Sequence, residues 1–221
     1  MKQKYSIVFG LTADPLHLGH EQAIINAVNF MRSQHLAIEQ FILLPVFSPH
    51  LIANKKAPKA GFSHRFTMCK IAAKRLTTLL QCRITTSKIE KELYLKTNKI
   101  NYSYDTLTAM QITNPLFMVS ADHFQGTEPK FKSWHNWQAL LKICGLLINQ
   151  RPKSQINHNF ILTLRTINPH VFIIDNAKQV NISSAKIRKN FSQLDLNKFI
   201  ASDVLDYIYS NDFYPNPDLE L

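Results

Sequence analysis

Acidic side chains are missing from two long stretches of this 221-residue chain. None stands between Gln40 and Ile89, where nine lysines and arginines occur, and none from Pro129 to Ile174. The formal net charge is +11. Either these residues form a solvated basic surface, or they face an acidic partner such as a nucleotide, a polyphosphate or a nucleic acid. Charge alone does not choose among these. Cysteine is also scarce: Cys69, Cys82 and Cys144 lie far apart in apolar surroundings, with no Cys-x-x-Cys pair. An odd, dispersed set points to reduced thiols in a cytoplasm rather than to a disulfide framework. No apolar run approaches membrane-spanning length. The first residues lead straight into a strand, so no signal peptide is expected. Internal repeats, low-complexity segments and dividing linkers are absent too. A single domain over residues 1–221 is expected, helical at its C-terminal end from about residue 183 to 213, with disorder confined to the tail after Phe213.

What is present is a chain with 45% hydrophobic residues, enough for a sizeable core. It is organised around the stretch from Tyr5 to Phe30. Ile7, Val8 and Phe9 form a short apolar run ending at Gly10; an irregular segment to Leu16 follows, containing Pro15. Then come His17-Leu18-Gly19-His20 and an apolar-periodic run of Ala23, Ile24, Ala27, Val28 and Met31. This reads as strand, loop, helix. Pro15 helps set the start of the helix, and Gly19 is expected to let a ligand approach the backbone. His17 and His20 share one face of the first turn, where unpaired amide N–H groups and the positive end of the helix dipole should collect. Such a place suits phosphate. Other readings of the pair are a cap residue beside a core residue, or a zinc site needing further ligands.

Strand and helix alternate along the rest. Strands are expected at 38–46, 83–87, 116–120, 145–149 and 171–175. Helices are expected at 62–80 with Ser63 as a possible cap, at 103–112 capped by Ser103, and at 134–142, 156–167, 183–191 and 203–210. The alternation predicts an α/β, doubly wound, mainly parallel sheet, with ligands beyond the carboxyl ends of the strands. Asn181-Ile182-Ser183-Ser184-Ala185-Lys186-Ile187-Arg188 follows the last strand. Ser183 can cap the helix that begins there, and the Ser184 hydroxyl with the forked guanidinium of Arg188 can grip phosphate; a well-capped helix with no further role would look the same.

Taken together, His17-x-Gly19-His20 and Ile182-Ser183-Ser184-x-x-Ile187-Arg188 resemble the nucleotidyltransferase superfamily, and the order of segments resembles the bacterial nicotinate-nucleotide adenylyltransferases. Gly10-x-x-x-Asp14-Pro15 opens the first motif. Pro45-Val46-Phe47-Ser48-Pro49-His50 is similar to that family's proline-histidine loop, and His64-Arg65 with Met68 to the start of its next helix. Asn101-Tyr102-Ser103-Tyr104-Asp105-Thr106-Leu107, Ser120-Ala121-Asp122, Trp134-His135-Asn136-Trp137 and Arg151-Pro152 continue the likeness, which runs from about Tyr5 to Tyr214. The chain departs from the pattern at Leu11 and Ser120, where the family has glycine, at Ala13, where an aromatic residue is common, and at Leu51, where a lysine is usual; Lys55 or Lys56 are candidates to replace that lysine.

The resemblance implies a Rossmann-like nucleotidyltransferase fold and adenylyl transfer from ATP to nicotinate mononucleotide, giving nicotinate adenine dinucleotide and pyrophosphate in NAD biosynthesis. It assigns His17, His20 and Arg188 to catalysis. It sets ATP against Gly10, Leu11, His17, Gly19, His20, Asp122, Ile182, Ser183, Ser184 and Arg188. The mononucleotide falls to Thr12, His50, Tyr102, Ser103, Trp134, His135 and Arg151, with Trp134 as the platform for the pyridine ring. Asp122 is open between a ribose contact and the cap of a short helix. Mg²⁺ is expected on the ATP phosphates, with no dedicated protein metal site. The partners are the two nucleotides, with no nucleic acid and no membrane, and both monomer and homodimer are compatible. A sister enzyme acting on nicotinamide mononucleotide or phosphopantetheine would share both phosphate motifs. An inactive nucleotide- or nucleic-acid-binding relative is the remaining alternative, although aromatic and basic residues are not interleaved as a stacking platform prefers.

Overall fold

The computed structural model describes residues 3–49, 56–150, 155–175 and 178–214. Six strands form one sheet: β1 (Lys4–Leu11), β2 (Ala37–Pro45), β3 (Ile84–Thr86), β4 (Pro115–Ser120), β5 (Gly145–Asn149) and β6 (Val171–Ile174). Their order is β3-β2-β1-β4-β5-β6 and every pairing is parallel, so the expected mainly parallel sheet is wholly parallel among the described residues. The order reverses between β1 and β4. In doubly wound sheets that point opens a crevice at the carboxyl ends of the strands.

Both faces of the sheet are buried, which is why the strands read as unbroken apolar runs. Alternate residues of one strand serve different cores. Ile7, Phe41, Leu43, Leu116, Met118 and Leu147 point into the first, against α1 (Leu18–Ser33), α2 (Phe62–Leu80) and α8 (Ser202–Ser210). Val8, Ile42, Phe117, Val119, Leu146 and Ile148 point into the second, against α4 (Ser103–Met110), α5 (Trp137–Ile143) and α6 (His158–Ile167). In α1 the five apolar positions read from the sequence are all buried. Arg75 of α2 fastens the first layer, reaching Glu21 of α1 at 2.7 Å and Asp203 of α8 at 2.9 Å.

Four expectations need correction. A further helix, α3 (Ile89–Thr97), lies between β3 and α4. The cap of α4 is Tyr102 rather than Ser103, because the Asp105 carboxylate accepts from the Tyr102 amide at 3.1 Å. Gly61, not Ser63, caps α2. The helix expected from Trp134 starts only at Trp137: Asn136 has φ 52°, so Trp134 closes a short 3-10 helix (Lys130–Ser133) and shares no helical face with Trp137. The last of the α-helices to be named is α7 (Ser184–Lys189), which follows β6. Among the described residues no helix is long and apolar enough to cross a membrane.

Candidate active site

The loop from β1 to α1 ends in a tightly bonded pair of imidazoles. His17 is the N-cap of α1 and is buried. Its Nδ1 accepts from the Gly19 amide at 3.1 Å, and its own amide donates to His20 Nδ1 at 3.3 Å. The rings stack with centroids 3.8 Å apart and planes 27° from parallel. Since each Nδ1 is an acceptor, each neutral ring carries its proton on Nε2. The backbone thus selects the tautomer in which both histidines carry the proton on Nε2.

This cap also changes the expected chemistry of the helix start. The Leu18 amide donates to Phe199 O at 2.7 Å, and the His20 and Glu21 amides donate to His17 O. The amides of the first turn are satisfied within the chain, not left over for an anion. A phosphate arriving here meets imidazole donors and the helix dipole instead. A Cβ on Gly19 would stand 2.9 Å from Cε1 and Nδ1 of His17, so the glycine makes room for the histidine ring.

The late motif folds onto this loop. Ser183 caps α7, its hydroxyl accepting from the Lys186 amide at 3.2 Å. The Ser184 hydroxyl donates to Pro15 O at 3.0 Å, and Ile182 Cγ2 lies 3.4 Å from where a Gly19 Cβ would be. Arg188 donates to the Asp14 carbonyl and also pairs with the Asp14 carboxylate at 3.3 Å. The two motifs, far apart in sequence, therefore form one surface. Asp14 is its joint: the buried carboxylate accepts from the amides of Lys59 and Ala60 at 2.9 and 3.0 Å and from the Tyr214 hydroxyl at 2.7 Å. Burial pushes the Tyr214 phenol far above its ordinary value, and the neighbouring Asp14 charge pushes the same way, so Tyr214 stays a donor.

Leu11 ends β1 in ordinary strand conformation and is buried, so the glycine it replaces is not needed for backbone freedom here. Ala13 does adopt a left-handed φ of 54° and is fully buried, which leaves no room for a larger side chain without rearrangement.

Across the switch point lies an aromatic cluster. The Phe117 ring approaches within 3.4 Å of a Cβ placed on Gly10, and it meets Trp134 edge-on at 6.1 Å. Trp134 is half-buried and also touches His123 and Phe131. Tyr102 and His135 face each other at 4.4 Å, planes 31° apart. Ser103 begins α4 beside them. Asp122 sits inside a 3-10 helix (Ala121–His123) at the end of β4, accepting from the Ser120 hydroxyl at 3.2 Å; Ser120 holds the cap position, so the capping alternative for Asp122 falls away. Thr12 lies in the β1–α1 loop, its carbonyl bonded to Arg65 at 2.8 Å. His50 and Arg151 lie outside the described residues.

Sequence reasoning found Arg65 only as part of a resemblance and missed Glu90 altogether. Arg65 is 1% exposed and donates to four carbonyls: Ala60 at 3.2 Å, Thr12 at 2.8 Å, Val46 at 2.7 Å and Phe47 at 3.1 Å. It thereby ties the loop after β1 to the loop after β2. Burial lowers its pKa, while the charges of Asp14 and Glu90 act in the opposite direction. Glu90 of α3 is buried too, and accepts from the Phe47 amide at 2.8 Å. Burial raises its pKa to about 7, opposed by the Phe47 bond and the Arg65 charge.

A raised carboxyl pKa means the folded chain holds a proton that the unfolded chain has released. Stability from this group is fully present below the unfolded value of 4.5 and is lost as pH rises through about 7. Glu90→Gln should therefore raise the melting temperature at pH 8, with the gain shrinking to nothing towards pH 4.5, as followed by thermal denaturation across pH. A pH-independent effect would mean that the carboxyl does not titrate in this range.

A cavity of about 350 Å³ lies at the other end of the sheet, lined by Tyr5, Pro115, Gly145 and His170 among others. Those residues mark the amino ends of the strands, away from the crevice that such sheets use. Burial pushes the Cys69 and Cys144 thiols up to about 12, which removes them as nucleophiles. Among the described residues no group of three or more His, Cys, Asp or Glu side chains is placed to hold a metal, so the zinc reading of the histidine pair has no further ligands there.

A wholly parallel sheet of this order, with a histidine-capped first helix and a late serine-capped helix folded over it, defines the nucleotidyltransferase class with a Rossmann-like fold. The chain belongs to the cytidylyltransferase-like family, whose model matches residues 8–190. It is 27% identical to a protein of Acidithiobacillus ferrooxidans named "Probable nicotinate-nucleotide adenylyltransferase", spanning 96% of both chains. A protein of the same name from Shewanella frigidimarina is 24% identical over 94% of this chain and 98% of its own. The fold also matches that of Plasmodium falciparum nicotinic acid mononucleotide adenylyltransferase complexed with NaAD, at a TM-score of 0.71 and 19% identity, covering 96% of this chain and 98% of that one.

Proposed function

We propose that this enzyme transfers the adenylyl group of MgATP to nicotinate mononucleotide, releasing pyrophosphate and forming nicotinate adenine dinucleotide. The observation that carries the reading is the stacked pair of His17 and His20, fixed by the backbone as Nε2–H donors at the switch-point crevice. The names of the full-length relatives supply the acceptor. A phosphate oxygen of the mononucleotide attacks the α-phosphorus in line as the bond to the β-phosphate oxygen breaks. Negative charge grows on the non-bridging and leaving oxygens. The imidazole donors and Arg188 stabilise it, and the protein contributes position and charge rather than a nucleophile. Mg²⁺ bound to the ATP substrate would shield its phosphates, while His17, His20 and Arg188 supply the protein's share of the charge stabilisation. The pyridine ring stacks at Trp134 beside Tyr102 and His135, and the preference for the nicotinate form follows the names of the relatives. A cytoplasmic location belongs to the same reading.

The test is purified protein with MgATP and, in turn, nicotinate mononucleotide, nicotinamide mononucleotide and phosphopantetheine, scored by pyrophosphate and product. Turnover should be highest with the nicotinate form. Equal or better use of the amide would overturn the specificity, and turnover of phosphopantetheine alone would move the chain to the sister activity. Trp134→Ala should raise KM for the nicotinate substrate about tenfold, as loss of one aromatic stack does. KM for ATP should barely move; an unchanged acceptor KM would return Trp134 to the core.

Arg188→Lys keeps the charge but not the fork. The guanidinium already spends one nitrogen on Asp14, so binding phosphate as well needs a second donor edge that lysine lacks. Turnover should fall about tenfold or more. If Arg188→Lys matches the wild type while Arg188→Ala is inactive, charge alone is what matters there.

A further inference from the structure

Glu90 lies outside every motif, yet it joins segments that carry the acceptor residues. Its carboxylate holds the Phe47 amide at 2.8 Å, and its carbonyl accepts from the Asn101 side chain at 2.8 Å, one residue before Tyr102. Arg65 completes the frame on the other side of the same loop, bonding Val46 O, Phe47 O and Thr12 O. The Val46 amide in turn donates to Leu11 O at 3.0 Å. Phe47, Ser48, Tyr94 and Asn101 line a small cleft with Glu90 at its wall. A buried carboxylate is costly to keep when an apolar side chain of the same size would fill the space. Its retention here is explained by the Phe47 N–H, which an apolar residue would leave unsatisfied.

We propose that Glu90 is a positioning residue for the acceptor nucleotide: through the Phe47 amide it sets the loop after β2 against Thr12 on one side and Asn101–Tyr102 on the other. This rests on the adenylyl-transfer reading above. The role belongs to the acceptor and not to ATP, because the Glu90 carboxylate bonds the Phe47 amide while its backbone carbonyl holds Asn101, and neither bond leads to the histidine pair or α7.

The experiment uses the full chain with Glu90→Met, which fills the space without an acceptor and spares the fold a cavity, and Glu90→Gln, which restores an acceptor oxygen. Two quantities are read: hydrogen exchange of the Phe47 amide and the KM of each substrate. In Glu90→Met the amide should exchange at least about tenfold faster, and KM for nicotinate mononucleotide should rise about five- to tenfold with KM for ATP within about twofold. Glu90→Gln should bring both back to within about threefold of wild type. Unchanged exchange in Glu90→Met overturns the proposal. Faster exchange with no change in KM, or with both KM values moving together, reduces Glu90 to a structural residue and overturns it as well. Should the wild type itself fail to use nicotinate mononucleotide, the adenylyl-transfer reading falls and takes the acceptor role with it; the exchange result then shows separately whether Glu90 holds the loop.

Discussion

His20→Ala lowers kcat by about a hundredfold or more while changing KM for ATP far less, because the ring acts on charge that develops only as the α-phosphorus is attacked. Its Nδ1 is occupied by the His17 amide, which leaves Nε2 as the donor and makes orientation independent of the ligand. That preorganisation is what gives a single donor its large effect. The substitution also removes the acceptor for the His17 amide and one half of the stacked pair, so the neighbouring ring loosens. Steady-state kinetics with both substrates, alongside a melting curve, separates the two effects. A variant within about threefold of wild-type kcat and with unchanged stability would remove His20 from the chemistry.

The β1–loop–α1 unit was legible in the sequence because its signals are local. An apolar run, a proline loop and an apolar stripe at helical spacing fall within Tyr5–Met31, and the structure follows them closely. Local signals also located Ser183 as a cap. They failed where a single backbone angle decided the matter. The left-handed Asn136 interrupts what reads as one helix from Trp134, and nothing in the apolar spacing announces it. Helix α3 shows no buried apolar stripe, since Glu90 is the one buried residue in it. The amides at the start of α1 were misread for a related reason. A histidine cap supplies the acceptor that a ligand was expected to be, and the choice between side chain and ligand is made by rotamer, not by residue type. Least legible was the frame around Arg65 and Glu90. Its bonds to the loops after β1 and β2 join residues 18 to 53 positions apart, through backbone atoms that every residue type possesses.

Asp14→Asn should be the most destabilising conservative change in the site. The carboxylate is 1% exposed and takes two backbone amides, the Tyr214 hydroxyl and Arg188. All of these are donors. An asparagine turns one acceptor oxygen into an NH₂ group, which must face at least one of them, and it leaves the Arg188 guanidinium without its counter-charge. Removing one partner of such a buried pair costs about 2–4 kcal/mol, placed below the fully buried case because Arg188 keeps some contact with water. For a chain of this size that corresponds to a fall in Tm of roughly 5–15 °C. Tyr214→Phe is the comparator: it deletes one neutral donor and keeps the charge, so it should cost only about 1 kcal/mol. Turnover should fall with Asp14→Asn even well below its melting point, since the same carboxylate orients Arg188 and closes the loop that leads to His17. A Tm drop no larger than that of Tyr214→Phe, with turnover intact, would mean that the two motifs are held together by packing and that the buried charge at Asp14 is incidental to the site.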